Sequence, residues 1–261
     1  MPWSWTIPAR RPSTSAARLL AAAIACALPA PVGAATFQIP GDSRQLIVGV
    51  ADAWDSTHVS LSRWQRNGSG PWNQVGPAWK GRLGKDGLGW GIGLHPQGLP
   101  GPTKTEKDAR APCGVFELGD AYGYAASTPT HPNLPYHPVG PRDMWVEDAT
   151  SQYYNQHLRL AHAAPQNDWE RKQQMRLGDP AHSLKLFIKH NAPPNAQPGM
   201  GSAIFFHIWR DGGRRFTAGC TTMPENSLRQ LLTWVDPTRH PLFVLLPKPA
   251  YEQLRHPWAL P

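Results

Sequence analysis

Two residues near the carboxyl end of the chain, His207 and Cys220, are of the types that carry out nucleophilic acyl transfer. They lie thirteen residues apart in the stretch FFHIWRDGGRRFTAGCTTMPE. A cysteine attacks a carbonyl carbon as the thiolate, and a neighbouring imidazole can accept the thiol proton and later deliver it to a leaving amine. Gly219 lets the backbone approach a bound carbonyl closely, so N–H groups near Gly219 and Cys220 can donate to a developing oxyanion. The pattern therefore predicts a cysteine–histidine dyad.

Other interpretations of the same two residues stay open. The chain has three cysteines. Loss of Cys26 with an amino-terminal leader would leave Cys113 and Cys220, which could form one disulfide in an oxidising compartment. His207 could equally be a core histidine that is satisfied by hydrogen bonds.

The histidine lies on a predicted strand, SAIFFHIW. Alternation along a strand divides the side chains between two faces, with Phe205, His207 and Trp209 on one and Ile204, Phe206 and Ile208 on the other. A second strand, SLKLFIKH, precedes it, and a proline-rich connection joins the two.

The residues after the cysteine, TMPENSLRQLLTWVD, predict the clearest helix in the chain. Thr222 and Glu225 have the spacing of a capping box, and Pro224 would occupy the first turn. We therefore expect Cys220 two residues before the helix, where the helix dipole and free N–H groups favour the thiolate. The apolar residues recur at i, i+3, i+4 and i+7, as Leu228, Leu231, Leu232 and Val235.

A turn is predicted between the histidine and the cysteine. Asp211-Gly212-Gly213 is a strong turn signal, which would join the two segments as a hairpin. Asp211 could also orient the His207 ring, although an aspartate beside glycine is common in turns.

The composition favours a β-rich fold. The chain has 29 prolines and 24 glycines, and only 17% of its residues are charged, which favours turns and short strands over long helices. The segments RQLIVGV, HVSLSRWQR and CGVFELG are predicted strands. The proline-rich residues 128–141 predict a long loop, and the mixed charges of Lys104, Glu106, Lys107 and Asp108 predict a solvated loop.

The first 35 residues predict a secretory signal peptide. Three arginines precede the uncharged run Leu19 to Leu28, which is too short to span a bilayer, and Val32-Gly33-Ala34 offers a small-residue cleavage site. Cleavage would leave 23 basic and 18 acidic residues, a net charge of +5. We expect an exported protein of the periplasm or cell envelope, without a membrane span after cleavage, that binds an anionic polymer such as cell wall. The basic residues are scattered and match no nucleic-acid-binding motif, so we expect no nucleic-acid partner.

The stretch GSAIFFHIWRDGGRRFTAGCTTM resembles the signature of the L,D-transpeptidase catalytic-domain family (YkuD-like), in which a histidine precedes a Ser/Thr-x-Gly-Cys motif. His207, Thr217, Gly219 and Cys220 match it position by position. The upstream segments TKTEKDARAPCGVFELG and WVEDATSQYYN are similar to regions of the family and of one exported branch. The likeness covers approximately Gln45 to Pro247.

This resemblance implies a mainly β (β-rich α+β) fold, an L,D-transpeptidase-like β-sandwich with a few short helices. Its division of the chain would be 1–35 signal peptide, 36–44 linker, 45–247 catalytic domain and 248–261 C-terminal tail. We expect a monomer that needs no cofactor. No H-x-x-x-H or C-x-x-C spacing is present, so we also expect no metal. Cys220 would form a thioester with a peptidoglycan peptide stem and transfer it to an amine acceptor.

In this reading Cys220 is the nucleophile, His207 the base, Gly219 the oxyanion position and Thr217 a supporting hydrogen bonder. With water as acceptor the same site would be an L,D-carboxypeptidase. A non-catalytic wall-binding protein of the same fold is a further alternative.

The sequence departs from the family pattern at two positions. Thr222 stands where many members carry an arginine suited to a substrate carboxylate. The replacement candidates are Arg210, Arg214, Arg215 and Lys189, with no order among them, and Thr222 itself remains a candidate contact. Cys113 stands where a small residue is common, and it is either a small buried hydrophobe or a redox partner of Cys220.

Overall fold

The computed structural model describes residues 37–261, so the predicted signal peptide lies outside the described residues. Within this range the secondary structure is thirteen strands and three short α-helices. The strands are β1 (Gln45–Ala51), β2 (His58–Gln65), β3 (Asn73–Gln74), β4 (Trp79–Arg82), β5 (Leu88–Trp90), β6 (Ala111–Gly123), β7 (Tyr136–Pro138), β8 (Asp143–Trp145), β9 (His157–Arg159), β10 (Leu184–Ile188), β11 (Phe205–Ile208), β12 (Thr221–Met223) and β13 (Leu242–Pro247). The helices are α1 (Asp168–Lys172), α2 (Glu225–Trp234) and α3 (Lys248–Leu254).

Eight of the strands close into a mixed β-barrel. Their order is β1-β13-β6-β10-β11-β12-β4-β2, and pairing of β2 with β1 completes the ring. β3 pairs with β2, β5 and β7 pair with β6, and β8 and β9 form a separate two-stranded sheet. The expected mainly β fold with a few short helices is confirmed.

The two faces of β11 belong to two hydrophobic clusters. Ile204 and Phe206 lie in the larger cluster, together with Phe243 of β13 and the apolar side of α2. Phe205 lies in the smaller cluster, which also holds Phe187 and Trp145. The predicted alternation of β11 is therefore confirmed. Truncation of a fully buried phenylalanine such as Phe206 costs about 3–5 kcal/mol, so this strand is strongly fixed in register.

The predicted apolar side of α2 is confirmed, but the predicted start of the helix is wrong. Leu228, Leu231 and Leu232 are fully buried. Thr222 is not the helix cap: it lies in β12, opposite Arg82 of β4 and His207 of β11. The helix begins at Glu225 without a side-chain capping hydrogen bond. Strand pairing on both sides of β12 outweighs the single capping interaction that the motif could have formed.

The predicted hairpin between β11 and Cys220 is also wrong, because β11 and β12 are parallel. The intervening residues form a crossover that contains a 3-10 turn at Asp211–Gly213. The predicted turn residues do form a turn, but the chain then passes along the barrel and enters β12 in the same direction as β11. Local turn residues do not specify which way the next strand runs.

The segments outside the predicted catalytic region are packed against it. In the predicted linker, Ile39 is buried, and in the C-terminal segment Leu254, Trp258 and Leu260 are buried in the larger cluster. The predicted loop 128–141 contains the short strand β7, which lies alongside the last residues of β6. None of the helices in residues 37–261 is both long and apolar enough to cross a membrane.

Candidate functional site

Cys220 lies directly before β12 and opens into a cleft of about 190 Å³. Its sulfur accepts a hydrogen bond from the backbone N–H of Phe205 at 3.4 Å, and its thiol donates to the carbonyl of Ala203 at 3.5 Å. Burial raises the pKa of the Cys220 thiol, while the Phe205 N–H and the charge of Lys185 act in the opposite direction. The helix α2 begins beyond β12, so the predicted activation of the thiol by the helix N-terminus is wrong.

His207 lies on the same face of the sheet as Cys220. The parallel register of β11 and β12 places Phe206 opposite Thr221, and therefore Phe205 opposite Cys220. His207 is two residues further along β11, on the face that Phe205 shares. With strands about 4.8 Å apart and a rise of about 3.3 Å per residue, the two Cα atoms are about 8 Å apart. The two residues are diagonal neighbours on one surface.

The imidazole of His207 is held in one tautomer. Its Nδ1 lies 2.8 Å from the carbonyl oxygen of Ile208, which can only accept, so Nδ1 carries the proton and Nε2 carries a lone pair. The ring stacks on His182 with centroids 4.4 Å apart and an interplanar angle of 25°. Burial lowers the pKa of His207 to about 4, so the ring is neutral at physiological pH. A neutral imidazole with a lone pair on one ring nitrogen can accept a thiol proton.

Thr217 and Gly219 shape the turn that carries the cysteine. The Thr217 hydroxyl donates to the carbonyl of Cys220 at 2.6 Å and accepts from the N–H of Gly219 at 3.0 Å. Gly219 has a φ of +150°, and a Cβ at this position would lie 3.0 Å from the carbonyl oxygen of Arg110. Thr217 is buried, so it positions the turn instead of lining the cleft.

The residues predicted to replace the missing arginine lie elsewhere. Thr222 is buried and its hydroxyl donates to the carbonyl of Arg82 at 3.4 Å, which leaves it away from the cleft. Arg214 and Arg215 are exposed on the crossover. Two other candidates are engaged in ion pairs, Arg210 with Asp179 and Lys189 with Glu117. Asp211 faces Arg215 at 3.8 Å and does not orient the His207 ring.

Cys113 and Cys220 are both free thiols. Cys113 is fully buried in the larger hydrophobic cluster, whereas Cys220 contacts the smaller one. Burial raises the pKa of Cys113 well above its usual value. The interpretation of Cys113 as a small buried hydrophobe therefore fits the structure, and the alternative of a disulfide to Cys220 does not.

A comparison with family models gives a match to the L,D-transpeptidase catalytic domain (YkuD) over residues 98–244. The match spans more than half of the chain and includes both His207 and Cys220. The chain belongs to this family. Its members are L,D-transpeptidases that use a cysteine, and they act on peptidoglycan. A comparison with curated proteins found no match.

Charged side chains surround the cysteine of this L,D-transpeptidase domain. The predicted solvated loop is only partly correct: Lys107 is exposed, but Lys104, Glu106 and Lys107 line the cleft together with Glu147. Lys104 is buried, forms an ion pair with Asp108 and donates to the carbonyl of Thr105 at 2.6 Å. Desolvation, and then the charge of Glu106, raises the pKa of Glu147. The cleft thus presents charges of both signs within reach of the thiol.

Sequence reasoning missed Asn155, which supports the L,D-transpeptidase site from behind. Its side-chain oxygen accepts from the N–H of Ala203 at 2.9 Å, and its amide donates to the carbonyls of His190 and Asn191. The segment WVEDATSQYYN was noticed only for its likeness to relatives. The physical signal for Asn155 is its left-handed backbone, with a φ of +58°, which asparagine adopts more readily than most residues.

No metal-binding arrangement is present in residues 37–261: these residues hold no group of three or more His, Cys, Asp or Glu side chains that could bind an ion.

Proposed function

We propose that this protein is an exported peptidoglycan L,D-transpeptidase in which Cys220 is the nucleophile and His207 the general base. One observation carries the proposal: the thiol opens into a charged cleft, on the same sheet face as a neutral imidazole whose proton is held on Nδ1, so that Nε2 is the nitrogen with the lone pair. Membership of the L,D-transpeptidase family supports the same assignment.

The reaction proceeds in two transfers. The thiol proton of Cys220 moves to Nε2 of His207 as the sulfur attacks a carbonyl carbon of a peptide stem, forming a C–S bond. The C–N bond to the terminal D-alanine breaks, and the leaving amine takes the proton from His207. A side-chain amine of a second stem then attacks the thioester, gives up a proton through His207, and releases the Cys220 thiol. The product is a cross-link between the two stems.

The glycine and the threonine of the motif assist this chemistry without reacting. The N–H of Gly219 is engaged by Thr217, so the contribution of Gly219 is the close approach that its missing side chain allows. Thr217 holds the Gly219 N–H and the Cys220 carbonyl, which belong to the peptide units on either side of the Gly219–Cys220 peptide, and so restrains the Cys220 N–H, which can donate to the oxyanion. Arg214 and Arg215, exposed on the crossover, remain our candidates for contacts to a distant part of the peptidoglycan.

Intact-mass measurement tests the assignment of the nucleophile. Incubation with a carbapenem or with purified muropeptides should add one acyl group to the wild-type protein and none to Cys220→Ala. Cys113→Ala is the matched control and should keep the adduct, because Cys113 is buried away from the cleft. An adduct on Cys220→Ala would overturn the proposal.

The products separate the transpeptidase from its alternatives. Muropeptide dimers that are absent with His207→Asn support transpeptidation, whereas shortened monomers alone support an L,D-carboxypeptidase. A wall-binding protein without catalysis would retain its biological effect in Cys220→Ala. Export is tested separately by the mass of the mature amino terminus, which should correspond to cleavage near Ala34.

A further inference from the structure

A buried lysine that neither the sequence motif nor the proposed reaction uses lies next to the dyad. Lys185 is on β10, directly opposite His207 in the antiparallel pairing of β10 and β11. Its side chain is buried, its Nζ donates to the carbonyl of Met175 at 3.2 Å, and Nζ lies 5.3 Å from the centroid of the Phe205 ring. Phe205 is the residue whose N–H contacts the Cys220 sulfur. The ammonium therefore lies on the same surface as the thiol.

The charge of Lys185 lacks a carboxylate partner among the described ion pairs. An ammonium has three N–H donors, and burial of a charge is costly unless a counter-charge or hydrogen bonds offset it. One carbonyl and one aromatic ring offset only part of that cost. A negative charge that forms nearby during a reaction would offset the remaining cost of burying the Lys185 ammonium.

Cys220 is the group best placed to supply that charge. Burial lowers the pKa of Lys185 to about 8, and the charge of Cys220, followed by that of Glu147, acts against this lowering. Lys185 in turn acts to lower the thiol pKa. At pH 7 the lysine is mainly protonated. It faces ionisable groups from each neighbouring element: Tyr122 on β6, His207 on β11, Cys220 before β12, Glu147 after β8 and His182 in the 3-10 turn before β10.

His207 alone is a weak acceptor for the thiol proton. Burial lowers the pKa of His207 to about 4 and raises that of the thiol, so transfer of the proton from sulfur to nitrogen is strongly unfavourable without another charge. The transfer creates a thiolate and an imidazolium in a poorly solvated place. A fixed ammonium beside the sulfur stabilises the thiolate half of this pair, while its charge also acts to lower the pKa of His207.

We propose that Lys185 is a positioning residue whose ammonium stabilises the thiolate of Cys220. This inference rests on the proposed function, in which Cys220 is the nucleophile. The thiol proton moves to Nε2 of His207, Lys185 keeps its three protons throughout, and the negative charge on sulfur is consumed when the C–S bond forms. The specific consequence is that removal of the lysine charge changes the titration of the thiol and not only the stability of the barrel.

The first experiment measures the rate of Cys220 alkylation by iodoacetamide as a function of pH, followed by mass spectrometry of the peptide that contains Cys220. Lys185→Met keeps the length and apolar stem of the side chain and removes the charge. We expect the alkylation rate of Cys220 in this variant to fall at least tenfold at pH 7. The midpoint of the curve of alkylation rate against pH should move to higher pH. Lys185→Arg keeps a cation and should recover part of the rate. Lys80→Met, at an exposed lysine on β4, should match wild type.

A wild-type rate and midpoint in Lys185→Met would overturn the inference, as would a loss of rate in Lys185→Arg as large as that in Lys185→Met. A second measurement covers the case in which these variants fold poorly. In Cys220→Ser the lysine loses its thiolate partner, so the Lys185 titration followed by NMR of the side-chain carbon next to Nζ should move to lower pH. An unchanged Lys185 titration in Cys220→Ser would equally overturn the inference.

These readouts need no cell-wall substrate. If muropeptides are processed by Cys220→Ala, the proposed function fails, whereas the effect of Lys185 on the thiol can still be measured. If the Cys220 adduct forms as expected and the thiol titrates identically with and without Lys185, only the present inference fails.

Discussion

The side chain of Asn155 holds the backbone of Ala203 in place beside the Cys220 thiol. Its Oδ1 accepts from the Ala203 N–H at 2.9 Å, and the Ala203 carbonyl accepts from the thiol at 3.5 Å. Ala203 has a φ of +54°, a left-handed conformation that costs a residue with a side chain about 1–2 kcal/mol. A strained backbone at the wall of the cleft is therefore fixed by one buried amide.

We predict that Asn155→Ala disorders this wall. The substitution leaves the carbonyls of His190 and Asn191 without their donor, and the indole N–H of Trp145 without its acceptor. Unsatisfied buried groups of this kind cost about 1–3 kcal/mol each, so the loss of three partners should lower the free energy of unfolding by at least about 3 kcal/mol. Urea denaturation measures the loss. Asn226→Ala, at an exposed asparagine on α2, should change stability little, and equal losses in the two variants would contradict the prediction.

Thr217 should be replaceable by serine and not by valine. Thr217→Val has nearly the same shape but removes the bonds to the Cys220 carbonyl and the Gly219 N–H. We expect the free energy of unfolding to fall by about 1–3 kcal/mol. Acylation should be at least tenfold slower, because the turn that presents the thiol is no longer fixed. Thr217→Ser keeps the hydroxyl and should stay within a fewfold of wild type. Stopped-flow measurement of acyl-enzyme formation distinguishes Thr217→Val from Thr217→Ser. Equal rates for the two variants would exclude a role for the hydroxyl.

Gly219→Ala should be more harmful than the same change at another glycine with positive φ. At Gly219 the new methyl group would meet the Arg110 carbonyl at 3.0 Å, whereas at Gly68, with a φ of +56°, it would meet open space. We expect Gly68→Ala to lower the free energy of unfolding by about 1 kcal/mol. Gly219→Ala should lower it by more and should also slow acylation. Thermal unfolding and adduct formation are the measurements. A Gly219→Ala protein that acylates at the wild-type rate would contradict a role for the close approach.

The stability of the domain should fall when the pH is lowered below about 6.5. Burial lowers the pKa of His207 to about 4 and that of His182 to about 3. Unfolded histidine titrates near pH 6.5, so below that pH the unfolded chain binds protons that the folded protein excludes. The stabilisation present above pH 6.5 is lost progressively until the pH reaches the folded pKa. Each such histidine contributes about 1.4 kcal/mol per pH unit.

His182→Phe tests the contribution of one ring. Phenylalanine can keep the stacking on His207 but cannot bind a proton. Between pH 6 and pH 4 the dependence of unfolding free energy on pH should become shallower by about 1.4 kcal/mol per pH unit, as measured by urea denaturation at several pH values. Identical slopes for His182→Phe and wild type would show that His182 takes up no extra proton on unfolding.

The sequence predicted those features that depend on local periodicity. The two faces of β11 and the buried leucines of α2 follow from spacings of two and of three to four residues, which the core requires. The start of α2 could not be predicted, because β11 and β4 draw Thr222 into a strand that the capping motif does not reveal. The parallel direction of β12 likewise depends on the whole barrel and not on the turn residues.

Sequence reasoning singled out Cys220 and His207, whose chemistry stays a prediction, but it did not find the charges around them. Lys185 looks like an ordinary polar residue in an apolar strand until its register against His207 is known. Glu106 looks like a solvated charge, since nothing in its own segment indicates that the hydroxyls of Ser202 and Tyr154 donate to it. Contacts between residues distant in the chain determine which charges face the thiol.

The closure of the barrel limits how far the catalytic region can be trimmed. The family match begins at residue 98, yet β1, β2 and β4 lie before it and complete the ring between β13 and β12. A fragment that holds only residues 98–244 would leave β13 and β12 with unpaired backbone groups along two open edges, which invites sheet-to-sheet aggregation. Residues 45–82 are thus a built-in protective partner for the strand that directly follows the nucleophile.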